Sequence, residues 1–326
     1  MKEREAILEV KDLHKFFPVS KKPFEEAKYV KAVNDVSFTL YKNETLGIVG
    51  ESGCGKSTTG RCLTNLIPIT AGSVLYNGKD ISKMNRKERK AHTKEVQMIF
   101  QDPYSSLNPR MTVGKIIEEP LIIHKMGGNK EERMQLVLDI MDKVGLRRDM
   151  YYRYPHEFSG GQRQRIGLAS ALILNPKIII CDEPVSALDV SIQSQVLNLL
   201  NSIKKNMDMT YIFISHNMSV VRYVCDRVAV MYLGRIVEIA DTDELYHNPL
   251  HPYTKALLSA VPEADPHIKK ERILLKGEIP SPLNPPSGCV FHNRCSEMME
   301  NCSTKCPHLI EVVPGHFVSC MQYSNN

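Results

Sequence analysis

No stretch of this chain approaches the roughly 18–20 consecutive apolar residues needed to cross a bilayer, so it is not expected to span a membrane. The first residues, Met1-Lys2-Glu3-Arg4-Glu5, are charged and carry no apolar h-region. No secretory signal is therefore expected, and a cytoplasmic location follows. A large charge of either sign is also lacking. The formal net charge is +5, from 42 basic and 37 acidic residues. Solubility alone accounts for that excess, and no basic stripe marks a nucleic-acid surface. No internal repeat is found, so one functional unit is expected and not two. What remains is the composition of a soluble globular protein, 42% hydrophobic and 24% charged over 326 residues.

The nine cysteines are unevenly placed. Cys54, Cys62, Cys181 and Cys225 are scattered, whereas Cys289, Cys295, Cys302, Cys306 and Cys320 crowd the C-terminal end. In a reducing compartment such a cluster reads as metal ligation before disulfides. Cys302 and Cys306 form a C-x3-C pair that would suit zinc. His292 and His308 are further ligand candidates, more simply read as solvated.

Short apolar runs at Thr45–Gly50, Lys177–Cys181, Tyr211–Ser215 and Val228–Tyr232 predict strands, and Ile178-Ile179-Ile180 suits one buried on both faces. Helical spacing falls between them at Lys56–Leu66, Ser191–Lys205 and Asn217–Cys225. Such alternation predicts an α/β fold with a parallel sheet. From about Asp102 to Pro176 the pattern changes to a helical insertion, with helices expected over Thr112–Lys125 and Lys130–Val144. Pro280, Pro282, Pro285 and Pro286 mark a stiff linker into the cysteine-rich tail.

The strongest local motif is Gly50-Glu51-Ser52-Gly53-Cys54-Gly55-Lys56-Ser57-Thr58, a G-x-x-x-x-G-K-S/T phosphate loop between a predicted strand and a predicted helix. Its glycines let backbone amides turn inward around a β-phosphate, and the helix start adds partial positive charge. Lys56 would reach the β- and γ-phosphates, and Ser57 would offer its hydroxyl to Mg²⁺. A second motif, Ile178-Ile179-Ile180-Cys181-Asp182-Glu183, ends a buried strand in two carboxylates. Asp182 would hold Mg²⁺, and Glu183 would polarise the attacking water.

Phe158-Ser159-Gly160-Gly161-Gln162 resembles the signature sequence of ATP-binding cassette (ABC) proteins, two glycines before a helix making another amide-rich anion site. Gln101 resembles the family's glutamine loop and a Mg²⁺ contact. Ser186-Ala187-Leu188-Asp189 resembles the D-loop, and His216 the switch histidine. Phe17 stands where the family stacks an aromatic on adenine, with Phe16 as rival and a core ring as the plain alternative. Tyr154-Pro155-His156-Glu157, the run Asp182–Ser191, His251-Pro252-Tyr253-Thr254, Leu257-Leu258 and Val261-Pro262 resemble the oligopeptide/dipeptide (peptide/nickel) importer ATPases. Ser170 departs, standing where that group has Arg at a surface or helix-end contact.

The resemblance implies a P-loop ABC-type nucleotide-binding domain over residues 1–250. That domain would combine a RecA-like core, an antiparallel β subdomain and a helical subdomain at about 102–176, with a cysteine-rich extension over 251–326. It implies ATP and Mg²⁺, and a 4Fe–4S cluster on Cys289, Cys295, Cys302 and Cys320, with zinc or free thiols as alternatives. It implies a head-to-tail dimer with an identical or different cassette, in which the signature of one caps the γ-phosphate held by the other. Two transmembrane permeases and an extracytoplasmic solute-binding protein complete the implied assembly, at the cytoplasmic face of the cell membrane. The implied cargo is an oligopeptide or dipeptide, with nickel or another small solute behind it. Competing readings are a soluble ABC ATPase acting on nucleic acid, an iron–sulfur protein with incidental ATP binding, and an exporter.

Overall fold

The computed structural model describes residues 4–19, 27–102, 106–262 and 271–324. Met1–Glu3 of the charged N-terminus, and residues 103–105 at the start of the expected helical insertion, lie outside the described residues. The chain forms two compact units, residues 1–82 with 215–326, and residues 83–214.

The first unit holds two sheets. Strands β1 (Ala6–Pro18) and β2 (Tyr29–Tyr41) pair antiparallel, with Val10 opposite Phe38. Val36, Phe38 and Leu40 alternate along β2 and are buried, which puts one face of the pair on the core. β4 (Ala71–Tyr76) adds to the other edge of β1 and turns through Asn77-Gly78 into β5 (Lys79–Asp80). Both turn residues have positive φ, +47° and +76°, as an Asn-Gly hairpin requires.

The second sheet pairs β3 (Thr45–Val49) in parallel with β9 (Arg227–Tyr232), and β9 antiparallel with β10 (Arg235–Asp241). All of β3 and β9 is buried, as apolar runs in a covered parallel sheet require. The C-terminal segment continues this sheet: β12 (His316–Val318) pairs with β10, and β11 (Ile310–Val313) with β12. Helices α1 (Lys56–Leu63), α7 (Met218–Val224), α8 (Thr242–His247) and α9 (Pro252–Ser259) belong to this unit. The prolines at 280–286 form neither helix nor strand, as expected, yet the segment is tied down, because the Pro282 carbonyl accepts the Lys31 amide at 3.0 Å.

In the second unit β6 (Val96–Ile99), β7 (Ile178–Asp182) and β8 (Thr210–Ser215) run parallel, with Ile180 between Met98 and Ile212. Five helices are described: α2 (Arg86–Glu95), α3 (Val113–His124), α4 (Lys130–Lys143), α5 (Gly160–Leu172) and α6 (Val190–Met207). The helices expected over Thr112–Lys125 and Lys130–Val144 are thus present within a residue at each end. α4 opens on Asn129, whose side chain accepts the Glu132 amide, and Arg133 on α4 holds Glu118 on α3 at 2.8 Å. Ser170 stands within α5, half-buried, with its hydroxyl 3.4 Å from the Ile116 carbonyl of α3. The position lies in the last turn of α5, and its contact there is with α3.

Candidate functional site

The residues singled out by sequence divide between the two units. Phe17, Gly50–Thr58, His216 and the cysteines 289–320 belong to the first, and Gln101, Ser159–Gln162, Asp182, Glu183 and Asp189 to the second.

In the first unit the phosphate loop leaves buried β3 and enters α1 through Gly55, the residue before the helix, at φ +106°. Gly50 is at φ +151°. A Cβ at Gly50 would lie 2.1 Å from the Met231 carbonyl oxygen, and one at Gly55 2.2 Å from that of Ala32. Only glycine fits at both places, so the loop keeps a bare backbone of the kind that cradles phosphate. Lys56 is 4% exposed, and its ammonium donates to the carbonyls of Gly50 at 2.8 Å and Glu51 at 3.0 Å. It is thereby held across the mouth of its own loop. Glu51 is fixed three ways: its carbonyl by Lys56, its amide by the Tyr253 hydroxyl at 2.9 Å, and its carboxylate by two hydrogen bonds from Arg294 at 2.7 and 3.1 Å.

Phe17 is 38% exposed, with the Lys15 ammonium 4.9 Å from its ring centre, whereas Phe16 packs edge-on against His14. Of the two, Phe17 is the ring open to a stacking partner. His216 is exposed, one residue past β8, where the Asn217 side chain caps α7.

In the second unit β7 ends in Asp182, 1% exposed, followed by Glu183 in a left-handed conformation at φ +46°. That conformation is sparsely populated for a side chain of this size, and the Ile214 carbonyl fixes it by accepting the Glu183 amide at 3.0 Å. The Gln101 amide donates to the Glu183 carboxylate at 2.9 Å, so the structure brings together two residues 82 apart in sequence. Ser159 caps α5 in a reciprocal box: its hydroxyl accepts the Gln162 amide at 3.4 Å, and the Gln162 side chain accepts the Ser159 amide at 3.1 Å. Gly160 and Gly161 are the first two helical residues, which corrects the expectation that they precede the helix. A Cβ at Gly161 would meet Ile192 at 2.3 Å, so close helix packing also requires this glycine. Asp189 caps α6, accepting the Ile192 amide at 3.0 Å.

Of the C-terminal cysteines, Cys289, Cys302 and Cys320 are buried, Cys295 is half-buried and Cys306 is exposed. Burial pushes Cys289 up to about 11, and raises Cys295 and Cys320. Cys302 and Cys320 also act on the charge of Cys289 and Cys295, and Cys302 on that of Cys320. The Cys289 amide donates to the Cys302 carbonyl at 2.8 Å, which makes these two residues neighbours. The Cys302 sulfur accepts the Met299 amide at 3.4 Å, while that of Cys306 lies 3.9 Å from the Pro307 carbonyl. Among the described residues no three or more His, Cys, Asp or Glu form a group that could hold a metal ion. His292 turns a ring nitrogen to the Cys289 carbonyl at 2.8 Å, and His308 is exposed. Sequence reasoning passed over Arg294 and the hydroxyl of Tyr253. Each is far along the chain from Glu51, and neither belongs to a phosphate motif.

A glycine cradle carrying a buried lysine, together with a strand-end carboxylate pair and a capped Ser-Gly-Gly-Gln helix start, defines an ABC-type ATPase cassette. Residues 33–186 match the family model described as ABC transporter, and residues 237–302 match the oligopeptide/dipeptide transporter C-terminal region. The oligopeptide transport ATP-binding protein AppF of Bacillus subtilis (strain 168) is 54% identical over 325 residues, 98% of each chain. OppF of Escherichia coli (strain K12), of the same description, is 52% identical over 98% of this chain and 97% of its own. The dimeric ATP-binding cassette MJ0796, in a post-hydrolysis state bound to ADP and Pi, superposes with a TM-score of 0.64 at 26% identity, covering 72% of this chain and 98% of that one. The chain belongs to the ABC transporter family, among the ATP-binding subunits that carry the oligopeptide/dipeptide C-terminal region.

Proposed function

We propose that this chain is the ATP-hydrolysing subunit of a membrane importer for oligopeptides or dipeptides. The relatives' transport of such peptides supports the cargo, and the phosphate loop carries the chemistry: Gly50 and Gly55 keep it bare, and Lys56 is held over it. No helix among the described residues is long and apolar enough to cross a membrane, so the spans would come from two permease subunits. A second cassette, identical or different, and an extracytoplasmic solute-binding protein complete the assembly, with this chain peripheral on the cytoplasmic face.

The amides of Ser52 to Thr58 bind the phosphates, Lys56 neutralises charge developing between the β- and γ-phosphates, and the Phe17 ring stacks on adenine. Ser57, Asp182 and Gln101 would hold Mg²⁺, which when bound neutralises phosphate charge. Glu183, steadied by Gln101, orients the attacking water, and His216 contacts the γ-phosphate oxygens. The Ser159–Gln162 helix start of each cassette meets the γ-phosphate on the other, with Asp189 beside it, so that ATP closes the dimer and its hydrolysis opens it. Cys289, Cys295, Cys302 and Cys320 are the set we assign to a 4Fe–4S cluster. Cys289, Cys302 and Cys320 are buried and Cys295 is half-buried, and these are the thiols that would hold it. Such a cluster would cross-link the C-terminal extension.

The test is ATP turnover in the transporter reconstituted with its permeases and binding protein. A short peptide should stimulate hydrolysis, and Glu183→Gln should abolish it while ATP stays bound. Equal turnover by Glu183→Gln and wild type contradicts the assigned chemistry. Stimulation by nickel and not by peptide reassigns the cargo.

A further inference from the structure

The phosphate-loop motif leaves Glu51 unspecified, yet every polar group of this residue is engaged. Two of its four partners come from the C-terminal extension. Arg294 lies 243 residues away in sequence and grips the Glu51 carboxylate with two nitrogens, the planar fork that arginine offers and lysine does not. The Arg294 side chain is 7% exposed and that of Glu51 25% exposed, so the pair is largely shielded from water. Tyr253, at the start of α9, receives the Glu51 amide on its hydroxyl. The other two lie within the loop: the Lys56 ammonium and the Cys54 amide both donate to the Glu51 carbonyl, at 3.0 and 3.3 Å.

The anchoring side is buried and closely packed. Tyr253, Phe291 and Tyr232 are fully buried and meet one another with ring centres 4.8 to 5.4 Å apart, and the Arg294 guanidinium lies 5.8 Å from the Tyr232 ring centre. Arg294 itself stands in the short turn His292–Arg294, directly after Phe291. A chain of contacts therefore runs from an aromatic cluster, in which Tyr253 and Phe291 of the extension pack on Tyr232 of β9, through Arg294 and Tyr253 to Glu51, and from the Glu51 carbonyl to Lys56.

We infer that the C-terminal extension is a positioning element for nucleotide, with Arg294 and Tyr253 setting the entry of the phosphate loop through Glu51. The inference rests on the ATPase reading above. The extension thus does more than terminate the sheet, because the shape of the ATP cradle depends on its being docked. Loss of Arg294 leaves the Glu51 carboxylate without its cation and frees the second residue of the loop. Loss of the Tyr253 hydroxyl frees the amide of the same residue.

The experiment measures KM for MgATP, kcat and melting temperature on the full-length chain for Arg294→Ala, Arg294→Lys, Glu51→Gln and the Arg294→Ala/Glu51→Gln double variant. Arg294→Ala should raise KM about tenfold, with a smaller change in kcat. Arg294→Lys should restore part of the loss, and the double variant should be no worse than the poorer single one. An Arg294→Ala protein with a lowered melting temperature and an unchanged KM overturns the inference, as do fully additive effects in the double variant. Tyr253→Phe keeps the ring cluster and serves where Arg294→Ala fails to fold. It should raise KM severalfold, and an unchanged KM overturns the inference. Wild-type protein that binds no MgATP removes the ATPase reading itself, and this inference with it. Wild-type binding with unaffected variants removes this inference alone.

Discussion

Replacing Gly55 by alanine tests the phosphate cradle at its tightest point. The residue is at φ +106°, where an L side chain is strained by roughly 1–3 kcal/mol. The new Cβ would stand 2.2 Å from the Ala32 carbonyl oxygen and 2.8 Å from the Met231 methyl. The methionine can rotate away, but the carbonyl belongs to β2 and cannot, so overpacking adds roughly 1–3 kcal/mol. The loop relieves part of this by moving, and the moved loop no longer presents its amides to phosphate. If about 2 kcal/mol falls on the nucleotide-bound shape, MgATP affinity drops about thirtyfold. Gly53→Ala is the control, since its φ is +79° but a Cβ there meets nothing within 4 Å. Titration with a fluorescent ATP analogue, alongside thermal melts, should show a much larger loss for Gly55→Ala than for Gly53→Ala. Equal affinities for both variants and wild type would refute the reasoning.

Other consequences are independent of the loop. Gln101→Ala removes the hydrogen bond on the Glu183 carboxylate, so hydrolysis should slow about tenfold or more with MgATP binding retained, as single-turnover assays would reveal. His251 is 1% exposed, and burial lowers it to about 4. Its folded value lies below the unfolded one near 6.5, so its contribution is complete above about pH 6.5 and is lost as pH falls towards 4. For His316 burial opposes the charge, but the Glu238 carboxylate, hydrogen-bonded at 2.8 Å, and that of Glu244, 3.5 Å away, outweigh it and raise the group. Its contribution is complete below about pH 6.5 and is lost as pH rises through the raised value. Chemical denaturation across about pH 4 to 9 should therefore flatten on the acid side in His251→Ala and on the alkaline side in His316→Ala. Unchanged profiles would exclude both assignments. Anaerobically purified protein should carry iron, and Cys289→Ser or Cys302→Ser should lose it, while Cys306→Ser should keep it; iron lost only in Cys306→Ser would contradict the proposed ligand set.

Legibility in the sequence followed the range of the forces. The phosphate loop, the isoleucine strand and the two insertion helices were readable because each is specified by neighbours a few residues apart. β1 was not individually visible, although it has 13 residues, because register shifts at Val10/Leu13 and Leu13/His14 break the alternation that betrays a strand. The place of Gly160 and Gly161 inside α5 depends on Ser159 and Gln162 capping one another, which moves the helix start ahead of its glycines. The hold on Glu51 was illegible for a different reason. It joins residues 202 and 243 apart, and neither Tyr253 nor Arg294 carries a pattern that points to the loop.

The central claim is that bare backbone and one lysine at Gly50–Thr58 bind the triphosphate. Calorimetric titration of the full-length protein with MgATP, for wild type and Lys56→Ala in parallel, tests it most directly. Saturable binding by the wild type and its loss in a folded Lys56→Ala protein are predicted. Equal heats from the two proteins, or none from a folded wild type, would contradict it.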